Sequence, residues 1–433
     1  MGRVHIIGAG LAGLSAAIAA TAAGRAVTLY EATATAGGRC RSYYDQELEL
    51  TIDNGNHLLL SGNTSAFAYI DAIGTRDRFT GPRHAVIPFL DLRTGRAWSL
   101  RPNRGRVPWW LLFADRRVPN TKPGEYVGLR HLGREWDDTV IAETMRHGTL
   151  YWMFVEPLSV AALNTRPHEA LACLFGAVMR ETLMKGGKAC LPRIPRNGLS
   201  DALIDPAIET LHERGAEILF NRRITGLGFE DGRVTALGGP EEPVILAPDD
   251  DVILAVPPWV ASELMPELTV PTAFESILNI HYKVDAKGNG DTAEAGFIGL
   301  INGIAEWVFI KPGHVSVTVS AANKLIDRAA IDLATLIWPN VCDALDLEGD
   351  EAATVPKFRV IKERRATFIA NVTQEELRPA AATAFANLAL AGDWTDTHLP
   401  ATIEGAIRSG VTAAELILNP AKGGKKRKRR NAA

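Results

Sequence analysis

The chain has 433 residues, 46% hydrophobic and 22% charged, a balance that excludes a disordered or fibrous protein and allows a sizeable core. Its net charge of −3 hides an asymmetry: Lys422–Arg430 carries seven Lys/Arg and no acid, which leaves −10 on the remainder and excludes a general nucleic-acid binder. Four scattered cysteines (Cys40, Cys173, Cys190, Cys342), with no CxxC pair or Cys/His cluster, exclude a disulfide framework and a zinc site and point to a reducing compartment.

Val4–Ile7 reads as a buried parallel strand. Gly8-Ala9-Gly10-Leu11-Ala12-Gly13 follows at once, then an Ala-rich helix closing at Gly24, then a second strand, Ala26–Tyr30, ending in Glu31. The stretch Ile6–Ala23 has no charge, but it is rich in Ala and Gly rather than Leu and is read as soluble structure, not a membrane span. Strand, glycine turn, helix, strand and acid in that order make a dinucleotide-binding unit. Gly8 allows the tight turn, Gly10 lets backbone approach a pyrophosphate, and Gly13 allows close packing. The helix, read from Leu14 to Gly24, offers N–H groups and a positive dipole end at its start, and Leu11 and Ala12 in the turn before it are further contact candidates. Glu31 is placed to accept from a ribose diol.

Gly37-Gly38-Arg39 comes next, adding N–H groups and a guanidinium for the same phosphates. Ile52-Asp53-Asn54-Gly55-Asn56-His57 follows a strand-like stretch. Val107–Phe113 is a compact aromatic run flanked by Arg101, Arg104, Arg106, Arg116 and Arg117. Tryptophans with arginines suit a membrane interface, so Trp109–Phe113 and the basic tail are read as a peripheral membrane contact; the alternative is a helix in the substrate domain. Glu217–Phe229 is strand-rich. Val252–Val256 would return to the nucleotide sheet. Leu388–Ala391 is an apolar strand ending in Gly392-Asp393-Trp394, and Thr402-Ile403-Glu404-Gly405 opens a last helix. No second GxGxxG follows a strand, so no built-in NAD(P)H domain is evident and any reductant must come from an external donor.

The glycine turn, Glu31, Gly37-Gly38-Arg39, Asp53–His57 and Gly392-Asp393 together resemble the FAD-binding amine oxidase and carotenoid desaturase superfamily. That resemblance implies FAD. It gives Asp393 the ribityl or pyrophosphate region, the helix start at Thr402 and Ile403 the N1/O2 side of the ring, and the backbone near Ile224 the adenine side. The middle sharpens it. Ala162-Leu163-Asn164-Thr165-Arg166-Pro167, Met179–Leu183, Lys185-Gly186-Gly187, Pro195–Ser200, Lys362–Phe368 and Gly392–Gly405 look like the hydroxysqualene dehydroxylases of bacterial hopanoid synthesis. The similarity spans about residues 1–418, with His398 where the family pattern has glycine.

The resemblance implies reductive removal of the allylic hydroxyl of hydroxysqualene to give squalene, an apolar C30 isoprenoid. Such chemistry needs a proton donor, exclusion of water and a long apolar slot. Asp53, Glu363 and Asp396 are the acid candidates, with His57, His398, Asn279 and His281 as further ones. A carotenoid desaturase or isomerase shares the fold and the polyene substrate, and an amine oxidase is a third reading. A prenyl-lipid-binding chaperone of the same fold is the non-enzyme alternative; intact Gly37-Gly38-Arg39 and Gly392-Asp393 argue against it.

The expected fold class is α/β. A Rossmann-like FAD-binding domain with a parallel sheet (1–75, 190–262 and 385–418) is interleaved with a mixed-sheet and helical substrate domain (76–189 and 265–384). Residues 419–433 are expected to be a disordered basic tail. The expected location is cytoplasmic, with a peripheral position on the inner face of the membrane.

Overall fold

The structure, a computed structural model, describes residues 2–132 and 138–419. The basic stretch Lys422–Arg430 therefore lies outside the described residues.

Short β-branched runs build a five-stranded sheet in the order Glu217–Leu219, Val27–Tyr30, Val4–Ile7, Asp251–Leu254 and Leu388–Leu390, every pair parallel. Val4–Ile7, Val27–Tyr30 and Leu388–Leu390 are buried throughout. Continuous rather than alternating apolar sequence is what strands covered on both faces require. Helix Leu11–Ala22 connects the first two strands and packs against the last helix, Ile403–Leu418. Their approach depends on Gly410: a Cβ there would lie 2.0 Å from the Ala12 carbonyl and 2.2 Å from Ser15 Oγ. Ser15 Oγ ties the pair by donating to the Ile407 carbonyl at 3.1 Å.

The second sheet has seven strands, in the order Phe358–Phe368, Phe274–Tyr282, His314–Val319, Trp307–Lys311, Phe297–Ile301, Ile87–Asp91 and Arg96–Leu100. The Phe297–Ile301 and Ile87–Asp91 strands pair in parallel; the others are antiparallel. The sequence pattern predicts only helices between residues 76 and 189. The hairpin Ile87–Leu100 departs from that because a five-residue apolar run is too short for a stable helix, and Asp91 closes a turn on it by accepting from Arg93 N and Thr94 Oγ1.

The two faces of this sheet differ. Leu278, Ile280, Val308, Val315 and Val317 pack on helix Ala330–Leu345 through Leu333, Ile337 and Val341. Alternation puts the intervening residues on the other face. There Phe89, Phe297, Trp307 and Phe309 form an aromatic core with the helical segments. Farther along the same face come Lys311, His314, Ser316, Thr318, Asn279 and His281. The hairpin Ser42–Asp45/Leu50–Asp53 is tied to this sheet through Arg359–Asp45, Lys283–Glu49 and Lys311–Asp53 ion pairs.

Asn164 fastens the helical segments to the sheet. At φ 49° it turns the chain, donates to the Glu275 carbonyl (3.2 Å) and Thr367 Oγ1 (3.0 Å), and accepts from Ala321 N (2.7 Å). Thr165 Oγ1 accepts from Ala370 N. The Asn164-Thr165 pair in the central motif is thus a structural clasp.

Gly410→Ala should lower stability by about 1–3 kcal/mol by overpacking the helix pair. Gly148→Ala, where a Cβ meets nothing within 4 Å, should change it by less than about 0.5 kcal/mol. Thermal midpoints of the two variants check this.

Candidate active site

The C-terminal end of the parallel sheet collects the nucleotide motifs. Gly8 turns the chain at φ 104°, and a Cβ on Gly13 would lie 1.9 Å from the Gly8 carbonyl, so strand and helix close tightly. A Cβ on Gly10, in contrast, meets no atom within 4 Å. Helix Leu11–Ala22 starts at Gly10 with no side-chain cap and no acid in its first turn. Gly37 N donates to the Ala9 carbonyl, bringing the second glycine pair alongside the first, with Gly10 Cα 3.5 Å from a Cβ placed on Gly38. Glu31 accepts from Ala9 N and from Thr33 N, both at 2.9 Å. Asn221 N donates to the Thr33 carbonyl and Arg222 N to the Glu31 carbonyl, which draws the segment leading to buried Ile224 beside the acid. An uncapped helix start, open space before Gly10 and an acid at the next strand end could hold the phosphates and ribose of a dinucleotide.

The two ends of the chain meet over this turn. Arg39 Nη2 donates to Asp393 Oδ1 at 2.6 Å and Nη1 to the Ala366 carbonyl at 2.5 Å. Burial opposes the charge on Arg39, but Asp393 outweighs it and holds the guanidinium above its ordinary range. Asn54 fixes the loop behind Arg39 by donating to its carbonyl and accepting from Arg41 N. Gly392, at φ 150°, leaves room for the buried Trp394, whose indole N–H donates to the Val256 carbonyl. Thr402 caps the last helix by accepting from Gly405 N, with Ile403 at its first turn.

Arg378 organises this corner and carried no sequence signal. It sits in a run of charges, Gln374–Arg378, that reads as a solvated surface, yet its side chain is fully buried. It donates to the Thr395 and Asp393 carbonyls, to Thr397 Oγ1 and to Glu375, and lies over the Phe368 ring.

The three acid candidates fall in different settings. Asp53 is buried, accepts from Ser42 Oγ and Leu199 N, and pairs with Lys311 Nζ at 2.9 Å. Burial would raise its carboxyl, but Lys311 and the hydrogen bonds together hold it below the usual range. Asp396 pairs with His398 Nδ1 at 2.9 Å and, against burial, is also held low. His398 has φ 61°, so a left-handed turn is kept where glycine was expected. Glu363 lies across from Ile277 on the polar face of the mixed sheet, within electrostatic reach of Arg39. The arginines beside it are engaged elsewhere, Arg364 with Asp327 and Arg365 over Trp259. His57 is held neutral, its pKa lowered to about 4 by burial. Among the described residues no cluster of His, Cys, Asp and Glu could hold a metal.

The model of the flavin-containing amine oxidoreductases matches residues 11–287 and 311–418. The chain belongs to that family. It is an FAD-dependent oxidoreductase. Within the family it is 46% identical over 417 residues to the hydroxysqualene dehydroxylase of Rhodopseudomonas palustris, covering 96% of this chain and 98% of that one. It is 43% identical to those of Sinorhizobium fredii and Zymomonas mobilis, over 96% and 97% of this chain and 98% and 100% of theirs. A 15-cis-phytoene desaturase of Synechococcus elongatus is 22% identical, over 96% of each chain. The fold is that of cyclohexylamine oxidase from Brevibacterium oxydans, with TM-score 0.68, 15% identity, and 97% and 99% of the two chains covered.

The contrast between Gly10 and Gly13 gives a test of the site. Gly10→Val should fold, because space is open there, and purify without the yellow of bound FAD. Gly13→Val should fail to fold. A Gly10→Val protein with full flavin absorbance would contradict the assignment. Lys311→Met should cost about 3–5 kcal/mol by leaving the Asp53 charge buried and unpaired. Because the carboxyl of Asp53 is depressed in the folded state, its contribution is present above the unfolded carboxyl pKa and lost as pH falls through the folded one. Acid titration of wild type and Lys311→Met, followed by circular dichroism, checks both signs.

Proposed function

We propose that the enzyme removes the allylic hydroxyl of hydroxysqualene reductively to give squalene. The observation that carries this is 43–46% identity to three hydroxysqualene dehydroxylases over nearly the whole chain, against 22% to the Synechococcus phytoene desaturase. Bound, reduced FAD supplies the hydride for the carbon that loses its oxygen. Leu11, Ala12 and the glycines Gly8, Gly10, Gly13 and Gly38 leave backbone N–H groups and space for the pyrophosphate. Glu31 takes a ribose, Ile224 the adenine side, and Arg39, Asn54, Gly55, Gly392, Asp393, Thr402 and Ile403 the flavin half. The departing hydroxyl must leave as water, which requires one proton from the protein. Glu363, on the polar face of the mixed sheet across from Ile277, is assigned that task. Electrons come from an external donor.

The apolar substrate favours a lipid-facing entrance. Val107, Trp109, Leu112 and Phe113 are exposed in one loop, and Arg116 lies over the Trp109 ring at 4.9 Å. Trp110, expected to insert with its neighbours, is instead buried and packs edge-on against Tyr126. The 3₁₀ turn Trp109–Leu112 points it inward. The contact assigned to the membrane is therefore Trp109, Leu112 and Phe113. Among the described residues no helix is long and apolar enough to cross a membrane.

Reduced enzyme given hydroxysqualene anaerobically should release squalene, identified by gas chromatography and mass spectrometry. Dehydrogenation of phytoene with hydroxysqualene untouched would overturn the assignment. Glu363→Gln should slow the reaction about 10²–10⁴-fold, the usual range for a lost general acid, while keeping its FAD. Trp109→Ser/Leu112→Ser should weaken flotation with anionic liposomes and leave turnover in detergent intact; unchanged flotation would place the entrance elsewhere.

A further inference from the structure

The polar part of the mixed-sheet face carries more hydrogen-bonding capacity than the protein itself uses. Asn56 Nδ2 donates to Ser316 Oγ (2.7 Å) and Thr318 Oγ1 (3.0 Å), and Thr318 Oγ1 donates to Asn279 Oδ1 (3.0 Å). Asn279 stands beside Gly55, its Nδ2 3.3 Å from a Cβ placed there. The register puts His281 across from Ser316. Yet Asn56 Oδ1 and both ring nitrogens of His281 are buried without a hydrogen-bond partner. His281 is 0% exposed. The Asp53 carbonyl is near its ring, but outside normal hydrogen-bond geometry.

Buried polar atoms that give up water without gaining a partner are destabilising, so a polar occupant is called for. Water is the chemistry that fits, since it can both give and accept along a line of hydroxyls, amides and an imidazole. The line has two ends. At one, His314 lies 5.4 Å from His281, ring to ring, next to the Lys311–Gly313 turn. At the other, Asn279 is followed on the same face by Ile277, whose cross-strand partner is Glu363.

We infer that this strip, Asn56, Asn279, His281, Ser316 and Thr318, holds ordered water and returns protons to the active-site acid, with His281 as the positioning residue of the relay. The inference rests on the proposed dehydroxylation. Each turnover breaks one C–O bond and forms one C–H bond; hydride comes from reduced FAD, and one proton leaves with the hydroxyl as water. That proton must be replaced from solvent every cycle. A neutral imidazole can receive a proton on one nitrogen and release it from the other, and burial keeps His281 neutral, its pKa lowered to about 3. The charged and titratable groups that face it are His314, Lys311 and Asp53, with Arg359 across the strand, itself paired to Asp45.

Two measurements on the holoenzyme test this. A high-resolution crystal structure should show water within hydrogen-bond distance of a His281 nitrogen and of Asn56 Oδ1; a dry pocket overturns the inference whatever the substrate. With hydroxysqualene and excess reductant, His281→Phe should turn over about 100-fold more slowly, with an altered solvent deuterium isotope effect, while retaining FAD and a wild-type melting temperature. His281→Gln, which keeps a donor and an acceptor, should recover part of the rate. His281→Phe at wild-type rate and isotope effect overturns the relay alone. A wild type that leaves hydroxysqualene unchanged overturns the dehydroxylation and the relay with it.

Discussion

The Arg39–Asp393 ion pair joins two segments 354 residues apart and sets the geometry on which the rest depends. Arg39 follows the second glycine pair and Asp393 follows the last strand of the parallel sheet. Holding them at 2.6 Å brings the two segments together at the C-terminal end of that sheet. Partial burial makes the pair sensitive to loss of either partner, since the survivor would be left as an uncompensated charge. Each partner is then fixed from behind, Arg39 by Asn54 at its carbonyl and Asp393 by Arg378 at its own.

From that corner the polarity of the molecule changes in a definite direction. The turn around Gly10 is all backbone and open space, suited to phosphates. The hairpin Ser42–Asp53 then carries charge across to the mixed sheet through four ion pairs. The mixed-sheet face passes from polar residues at Asn279 and Thr318 to an aromatic core at Trp307 and Phe309. An enzyme that delivers hydride and a proton to a hydrocarbon alcohol needs that gradient, with charge and water at one end and apolar surface at the other.

Much of the nucleotide end was legible because its physics is local. A tight turn, a close helix and a strand-end acid each demand a residue type at a fixed spacing, so Gly8–Gly13 and Glu31 could be read directly. The return of Asp251–Leu254 and Leu388–Leu390 to the same sheet was readable from their continuous apolar runs. What escaped depends on tertiary burial. Gln374–Arg378 looks like any solvated charge run until Phe368 and the Thr395 carbonyl close over Arg378. Lys311 ends an ordinary strand and acquires meaning only opposite Asp53. Trp110 could not be separated from Trp109 because a single 3₁₀ turn decides which ring faces inward. The hairpin at Ile87–Leu100 was missed because its partner, Phe297–Ile301, lies some 200 residues away.

One substrate hydroxyl should be removed for each reduced flavin oxidised. The most direct measurement is anaerobic stopped-flow absorbance at the flavin band, with the squalene formed in the same shot quantified. Recovery of oxidised FAD and appearance of squalene should be equal in amount and match in rate. Flavin that stays reduced in the presence of hydroxysqualene, or reoxidises without yielding squalene, would contradict it.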